Sequence, residues 1–402
     1  MTLAALLDQR QPGRTLPQPF YTDPGVFAED LERVFARNWL FAGHACEIPD
    51  PGDFFTMAVG DESLVFVRDA AGAVHAHFNV CRHRGSRIVD QPRGHTRALV
   101  CPYHQWAYAL DGRLAGARLM GAGFDKARYP LRAAHVRDLA GLLFVCLAPA
   151  PPPFEPAAVA IAPQLKPHGL GRARVLARHT YEVEANWKVL VENNRECYHC
   201  RVSHPEFSAT NYDLGLDGDD RVDDTHRALL AREYARWQDM GLAPREVSFP
   251  GGSWFRVTRL PLRQGFRTET LDGHPAAAPM GRLRELDDPW PGSLRIIGLP
   301  NLWAHANLDH AVTTRLLPLA PDRTQVDICF LVDADADPID CDTERLTRVS
   351  LATFEQDLDL CQGTYAGMRS RAYEPGPLSP IVENSVVSFL GWYTAQLADG
   401  RG

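Results

Sequence analysis

Two short pairs of cysteine and histidine constrain this chain more than any other feature. Cys81 and His83 form a C-x-H pair, and Cys101 and His104 form a C-x-x-H pair on the far side of residues 84–100. Glycine and proline residues surround both pairs, and these residue types indicate turns. The sequence therefore predicts two loops that bring two thiolates and two imidazoles to one small metal site.

The composition of this ligand set favours an iron–sulfur cluster over zinc. Rieske [2Fe–2S] centres are held by two cysteines on one iron and two histidines on the other. A zinc finger also uses two of each, but its spacing groups the cysteines together and the histidines together. Here each pair supplies one residue of each type. We therefore predict a Rieske cluster on Cys81, His83, Cys101 and His104, which makes the protein an electron carrier.

Length and charge limit the classes of protein that fit. The 402 residues exceed what one core usually fills, so two domains are expected. A formal net charge of −8 disfavours nucleic acid as a partner. Residues 1–20 contain no long apolar run, so neither a signal peptide nor a membrane span is expected there. Nine cysteines then fit a reducing compartment, which predicts a cytoplasmic protein with thiols rather than disulfides.

Changes in residue pattern divide the chain into three predicted segments. Residues 1–40 are a helical segment, with a helix at 23–39, that we expect to pack on the catalytic domain. Residues 41–149 consist of short apolar runs broken by glycine, aspartate and proline, which predicts an antiparallel β domain around the cluster loops. A proline-rich connection at 148–153 precedes the catalytic domain, residues 150–402, where helical and strand patterns mix. The predicted fold class is α+β.

A second group of potential metal ligands follows a predicted helix at 185–199. Pro205 disfavours helical geometry at His204, which should therefore lie in the turn directly after that helix. The chain can then fold back so that His199 and His204 converge. Two histidines and one carboxylate form the facial triad of non-haem Fe(II) oxygenases, which leaves positions open for O₂. A pair of histidines alone is often structural, but a cluster in the same chain would supply the electrons that such an iron uses.

A long helix predicted at 343–369 is the best source of the carboxylate, because its apolar residues recur at spacings of three and four. At about 100° per residue, Asp357 lies beside this apolar stripe and Asp359 lies near the opposite face. A carboxylate beside a buried stripe is costly unless it is paired or bound to metal. We therefore select Asp357 and keep Glu355 and Asp359 as alternatives. The strands expected in the catalytic domain are at 253–261, 294–299, 311–318 and 325–333.

Taken together, these motifs resemble the α subunit of Rieske non-haem iron oxygenases. The resemblance covers nearly the whole chain and rests on 81–85, 101–106, Asn186-Trp187-Lys188, Glu196-Cys197-Tyr198-His199 with His204-Pro205, 300–303 and 371–377. It implies a catalytic domain of the helix-grip type, with an antiparallel sheet wrapped around a long helix. It also implies a homotrimer in which Glu196 links His104 of one subunit to His199 of its neighbour.

Within that family the chain is most similar to the branch acting on quaternary ammonium compounds such as glycine betaine, carnitine and proline betaine. The signs are residues 117–121, the 101–106 motif, and Glu196 where ring-hydroxylating members usually carry aspartate. The resemblance implies O₂-dependent C–H hydroxylation, which at an N-methyl group becomes oxidative N-demethylation or C–N cleavage. It further implies mononuclear Fe(II) and electrons from NAD(P)H, delivered by a separate flavin and iron–sulfur reductase or through a ferredoxin.

Other functions compete with this one. Aromatic-ring hydroxylation, or hydroxylation of a natural-product intermediate, would use the same scaffold, and a non-catalytic Rieske electron-transfer protein would lack the mononuclear iron. The expected pocket region, 205–300, matches the family only loosely. Four aromatic residues are candidates for a cage around an alkylammonium group, although such residues on strands are more often core. They are Trp254, Phe255, Trp290 and Trp303.

Overall fold

The computed structural model describes residues 2–212, 221–242, 246–248 and 255–398. The chain divides into two compact units: Phe35–Pro152 is one, and Met1–Val34 together with Pro153–Gly402 is the other. Within the described ranges, no helix has both the length and the apolar character needed to cross a membrane.

The unit Phe35–Pro152 is built from short antiparallel strands. Seven of them form a sheet in the order β1-β10-β9-β4-β3-β2-β5, and β6, β7 and β8 form a second, smaller sheet. One Cys/His pair lies in the loop after β4 and the other between β6 and β7, so both are placed by strand ends. The strands are β1 Leu40–His44, β2 Asp53–Val59, β3 Glu62–Arg68, β4 Val74–Phe78, β5 Arg93–His95, β6 Leu99–Val100, β7 Ala107–Tyr108, β8 Leu114–Gly116, β9 Ala133–Leu139 and β10 Leu142–Cys146.

The larger unit contains the third sheet, which is also antiparallel, and the helices. Its sheet has the order β11-β17-β16-β15-β14-β13-β12. The strands are β11 Ala173–Val183, β12 Val247–Ser248, β13 Phe255–Leu260, β14 Ser293–Gly298, β15 Leu302–Ala306, β16 Ala311–Ala320 and β17 Arg323–Asp333. The helices are α1 Leu3–Leu7, α2 Pro19–Thr22, α3 Pro24–Glu29, α4 Glu155–Leu165, α5 Trp187–Asn194, α6 Cys200–Ser203, α7 Pro205–Thr210, α8 Asp224–Asp239, α9 Thr343–Met368 and α10 Asn384–Ala398. The predicted α+β class is confirmed.

Most of the elements predicted in the larger unit are found within a few residues of their expected bounds. The four predicted strands correspond to β13, β14, β16 and β17, and the long helix corresponds to α9. The helix expected at 23–39 ends earlier than predicted. α3 passes into a π-helical segment, Asp30–Phe35, and residues 36–39 are not helical.

The long helix α9 is positioned by its apolar face. Asp342 caps its first turn by accepting the backbone N–H of Arg345. The helix packs against β11, α5 and α7, and the ring of Tyr181 on β11 lies 5.0 Å from that of Phe354. Phe354, Cys361, Tyr365 and Met368 of the predicted stripe are buried. This packing places the carboxylate-bearing turn of α9 next to the end of α5.

A buried carboxylate holds α5 in place. Asp30 accepts hydrogen bonds from the Trp187 indole at 3.0 Å and from the Tyr393 hydroxyl at 2.6 Å, and it pairs with the Lys188 ammonium. Burial lowers the pKa of Lys188, and the charge of Asp30 opposes that shift. Because both side chains are fully buried, either charge would be strongly destabilising without the other.

Replacing Asp30 by alanine should therefore destabilise the larger unit by about 3–5 kcal/mol, since the Lys188 ammonium would stay buried without its counter-charge. The thermal unfolding midpoint measures the effect. The matched control is Asp30→Asn combined with Lys188→Met, which removes both charges, keeps an acceptor for Trp187 and Tyr393, and should restore most of the loss. A wild-type midpoint for the single variant would show that this pair does not stabilise α5.

Candidate metal centres

The two Cys/His loops of the smaller unit have the same backbone turn. The carbonyl oxygen of Cys81 accepts the N–H of Gly85 at 3.0 Å, and that of Cys101 accepts the N–H of Gln105 at 3.1 Å. Gly85 and Gln105 both have positive φ angles, 78° and 60°. Glycine adopts this conformation readily, whereas other residues rarely do. Each loop therefore closes as one tight turn around its cysteine.

The four predicted cluster ligands differ in exposure in the way that a centre at the edge of a core requires. Cys81 and Cys101 are buried, whereas His83 is exposed and His104 is half-buried. The two imidazole rings lie 4.6 Å apart, and His83 stacks on Trp106. Two buried sulfurs beneath two outward imidazoles match the donor set of a Rieske cluster.

The surroundings of the sulfur atoms also fit a metal centre. The Tyr108 hydroxyl lies 3.3 Å from the Cys81 sulfur and accepts the N–H of Arg82 at 2.9 Å. Burial raises the pKa of Cys81, and the neighbouring Cys101 adds to the shift. A buried thiol whose pKa is raised fits a site in which a bound metal would stabilise the thiolate.

In the larger unit, the three predicted iron ligands converge. Asp357 Oδ1 lies 3.2 Å from His199 Nε2 and 3.1 Å from His204 Nε2. His204 Nε2 and Asp357 Oδ1 are both buried and have no hydrogen-bond partner, despite their short separation. Buried polar atoms are almost always hydrogen-bonded, so unpartnered atoms directed to a common point fit residues that ligate a metal.

The remaining nitrogen of each imidazole is held by an oxygen acceptor. His199 Nδ1 lies 2.5 Å from Glu196 Oε1, and His204 Nδ1 lies 2.9 Å from Gln356 Oε1. The Gln356 amide in turn donates to Glu206 at 2.8 Å. An acceptor at Nδ1 holds a proton there and leaves Nε2 to face Asp357, as is usual for histidines that bind metals. Sequence reasoning missed Gln356, and its position next to Asp357 was the only available signal.

The alternative carboxylates do not join this group. Glu355 and Asp359 are exposed, and Glu355 accepts a long hydrogen bond of 3.4 Å from Tyr181. Burial alone would raise the pKa of Asp357, but the two imidazoles more than offset this effect, and the pKa lies below its ordinary value. Asp357 is therefore a carboxylate at neutral pH, which is the form that binds metal.

The predicted helix through His199 is wrong. α5 ends at Asn194, residues 195–199 form a turn, and α6 begins at Cys200. The Glu196 carboxylate accepts the backbone N–H of Tyr198, a local bond that competes with helical hydrogen bonding. Glu196 and His199 thus meet across a turn and do not share a helical face. His204 lies between α6 and α7, directly before Pro205, and has the non-helical backbone geometry that the sequence predicted.

One expectation about the cysteines is also wrong. Cys197 and Cys200 form a disulfide on either side of His199, whereas the sequence predicted thiols throughout. The turn after α5 brings their Cα atoms to 4.9 Å, within the range that a disulfide requires. The other seven cysteines are free.

A cavity of about 510 Å³ lies in the larger unit and is bordered by the three converging residues. Its volume is in the usual range for a small-molecule site. The sheet contributes one wall, on which side chains from adjacent strands form a row because they are cross-strand neighbours. That row consists of Arg256, Ile297, Trp303, Thr314 and Ile328.

Of the four candidate cage residues, Trp303 lines this cavity. Phe255 is buried, packs against Phe154 and belongs to the core. Trp290 lies outside the cavity lining and stacks with Arg236 and Arg267. Trp254 is outside the described residues. Phe354 of α9, which the sequence placed only in the apolar stripe, lines the cavity as well.

Known proteins match both units. The model of the ring hydroxylating alpha subunit catalytic domain matches residues 170–399, and that of the Rieske [2Fe-2S] domain matches residues 38–130. The glycine betaine monooxygenase oxygenase subunit of Chromohalobacter salexigens is 43% identical over 394 residues, covering 97% of this chain and 87% of that protein. The protein of the same name from Pseudomonas aeruginosa strain UCBPP-PA14 is 38% identical, with 99% and 92% covered.

A solved structure gives the same result for the fold. The quaternary ammonium Rieske monooxygenase CntA superposes with a TM-score of 0.73 at 21% identity, covering 98% of each chain. At this identity the likeness supports the architecture, including the antiparallel sheet packed on a long helix.

Replacing Asp357 by alanine should abolish mononuclear iron binding, because only two of the three converging protein ligands remain. Iron and sulfide contents of the purified protein measure the effect, with the visible spectrum reporting the cluster independently. Asp359→Ala is the matched control, since it removes an exposed carboxylate from the same helix, and it should keep a full iron content. Equal iron loss in both variants, or in neither, would contradict the assignment of Asp357.

Proposed function

Because the chain belongs to the family of Rieske-type ring-hydroxylating oxygenase α subunits, we propose that it is the oxygenase component of a monooxygenase that demethylates a small betaine-like quaternary ammonium compound. Membership of the family gives it a Rieske [2Fe–2S] domain and a non-haem iron catalytic domain. The names of the full-length relatives, which refer to glycine betaine, support this choice of substrate class.

The single observation that carries the proposal is the aromatic surface beside the converging residues. Trp303 and Phe354 line the main cavity together with His199 and His204, and both also border a small side cavity with Asp357. Aromatic faces attract quaternary ammonium groups by cation–π interaction. A trimethylammonium group held there would present an N-methyl group to the site.

We assign the cluster to Cys81, His83, Cys101 and His104, and the mononuclear iron to His199, His204 and Asp357. When bound, the cluster supplies single electrons and the iron supplies the activation of O₂. The chain's own part is positional. Glu196 and Gln356 hold the protons on the two Nδ1 atoms, while the aromatic surface and the cavity walls orient the substrate and limit the access of water.

The reaction inserts one oxygen atom of O₂ into an N-methyl C–H bond. The other oxygen atom leaves as water, with two electrons and two protons consumed. The hydroxymethyl group then leaves as formaldehyde, with release of a proton and the demethylated amine. The electrons come from NAD(P)H through a separate reductase with flavin and iron–sulfur centres, or through a ferredoxin.

The assembly that we propose is a cytoplasmic homotrimer. Glu196 is placed to serve two histidines, because its carboxylate contacts His199 of its own chain and is still partly exposed, at 13% for the side chain. In the trimer, His104 of the neighbouring subunit would donate to this carboxylate, so that electrons pass from one subunit to the next.

Substrate-dependent O₂ consumption with a surrogate reductase tests the function. Glycine betaine, carnitine and proline betaine are compared with naphthalene and benzoate, and formaldehyde is measured in parallel. We expect formaldehyde in a one-to-one ratio to O₂ with at least one betaine. Hydroxylated rings without formaldehyde from any betaine would instead support the alternative of aromatic-ring hydroxylation, which the family model also accommodates.

Glu196→Gln should preserve both metals and slow turnover, since the amide cannot accept from two imidazoles with the charge of a carboxylate. In a single-turnover experiment, reoxidation of the reduced cluster should become slower by at least about tenfold, with no change in substrate affinity. Metal analysis distinguishes this result from simple loss of iron. Wild-type reoxidation would remove Glu196 from the electron path.

A further inference from the structure

The cations that line the cavity are, with one exception, already paired. Arg256 donates to Glu246 at 2.6 Å and to the Ser385 hydroxyl at 3.0 Å. Arg295 donates to Glu269 at 3.2 Å. Arg221 is exposed and also has an interaction partner. These three arginines therefore have their charge or their donors engaged within the protein.

The carboxylates of the cavity wall are engaged as well. Glu269 is fully buried and meets His305 Nδ1 at 3.0 Å in addition to Arg295. Burial alone would raise the pKa of Glu269, but Arg295 and His305 hold it well below its usual range. Glu196 and Asp357 face the two histidines of the metal site. Each described carboxylate of the lining therefore already has a basic partner within the chain.

Arg195 is the exception. It lines the cavity, it is only 8% exposed, and its Nε is buried without a hydrogen-bond partner. In the described part of the chain, its side chain makes neither a hydrogen bond nor an ion pair. Burial, and then the charge of Arg256, lower the pKa of Arg195 to about 9. The guanidinium is thus still protonated at neutral pH.

The location of Arg195 explains only part of this arrangement. Arg195 is the C-cap of α5, where the helix dipole favours a positive charge. A dipole does not occupy the five N–H donors of a guanidinium, and a buried ion without a partner is costly. An anion that enters the cavity would supply the partner that the described residues do not.

We propose that Arg195 binds the carboxylate of a zwitterionic substrate and thereby selects betaines over simple quaternary ammonium cations, an inference that rests on the proposed demethylase function. The planar guanidinium matches a carboxylate in a two-bond geometry. Arg195 precedes His199 by four residues and lines the same cavity. A substrate whose carboxylate binds Arg195 can place its ammonium group at Trp303 and Phe354.

Three ligands separate the two halves of this recognition. Glycine betaine carries both charges, tetramethylammonium carries only the cation, and the tert-butylacetate anion is the carbon isostere that carries only the carboxylate. Binding to the metal-loaded protein is measured by calorimetry without reductant, so that no turnover occurs. Arg195→Gln should weaken the binding of glycine betaine and of tert-butylacetate by about 30-fold or more, as expected for a buried charge pair that loses one partner.

The same variant should bind tetramethylammonium as well as the wild type or more tightly, because a like charge has been removed from the cavity. Arg174→Gln is the matched control, since Arg174 lies on β11 outside the cavity lining and bonds to Ala336 and Cys341. It should change none of the three affinities. An equal loss for all three ligands in Arg195→Gln, or a glycine betaine affinity within threefold of wild type, would overturn the proposal.

Two further outcomes keep the test decisive. If Arg195→Gln does not fold or does not load iron, Arg195→Lys retains the charge at the helix end and loses only the two-bond geometry. Arg195→Lys should then weaken the binding of the two carboxylate ligands and leave the affinity for tetramethylammonium unchanged. An equal loss of affinity for all three ligands would overturn the proposal. If the wild type releases no formaldehyde from any betaine, yet binds tert-butylacetate in an Arg195-dependent manner, the demethylase function fails and the carboxylate site stands.

Discussion

The convergence of two imidazole nitrogens on one carboxylate oxygen is the contact on which the catalytic unit depends. His199 lies in the turn before α6 and His204 lies directly after that helix, whereas Asp357 belongs to the long helix α9. Three desolvated polar groups so close together are stable only if each is otherwise held. The protein supplies that support through Glu196 and Gln356, which bind the outer nitrogens.

The support extends into the core of the unit. α5 leads into the turn that carries His199, and α5 is itself tied down by the buried Asp30 carboxylate through Trp187 and Lys188. The apolar face of α9 fixes the opposite side of the site. Elements far apart in the chain therefore act together to hold His199, His204 and Asp357 in position.

The cavity next to this group has a definite charge pattern. Its described carboxylates are paired with cations or face the histidines, and its aromatic surface lies at Trp303 and Phe354. Among the described residues, the guanidinium of Arg195 has no partner. An uncharged aromatic substrate would satisfy the aromatic surface alone. A zwitterion would satisfy both ends, and for this reason we propose a betaine as the substrate in preference to a hydrocarbon or a simple cation.

The sequence by itself predicted the two Cys/His loops, the non-helical geometry of His204 before Pro205 and the position of Asp357 beside the apolar stripe of α9, because these depend on local spacing and on the helical period. It placed the end of α5 too late, since the bond between the Glu196 side chain and a nearby backbone N–H leaves no periodic signal. It also missed the disulfide of Cys197 with Cys200, because that bond depends on the turn that follows α5. Only the tertiary structure showed that Gln356 holds His204 and that no described residue pairs with the Arg195 side chain. Contacts between residues that are distant in the sequence depend on their separation in space. The sequence around an arginine at a helix end is therefore the same whether or not an anion lies beside its side chain.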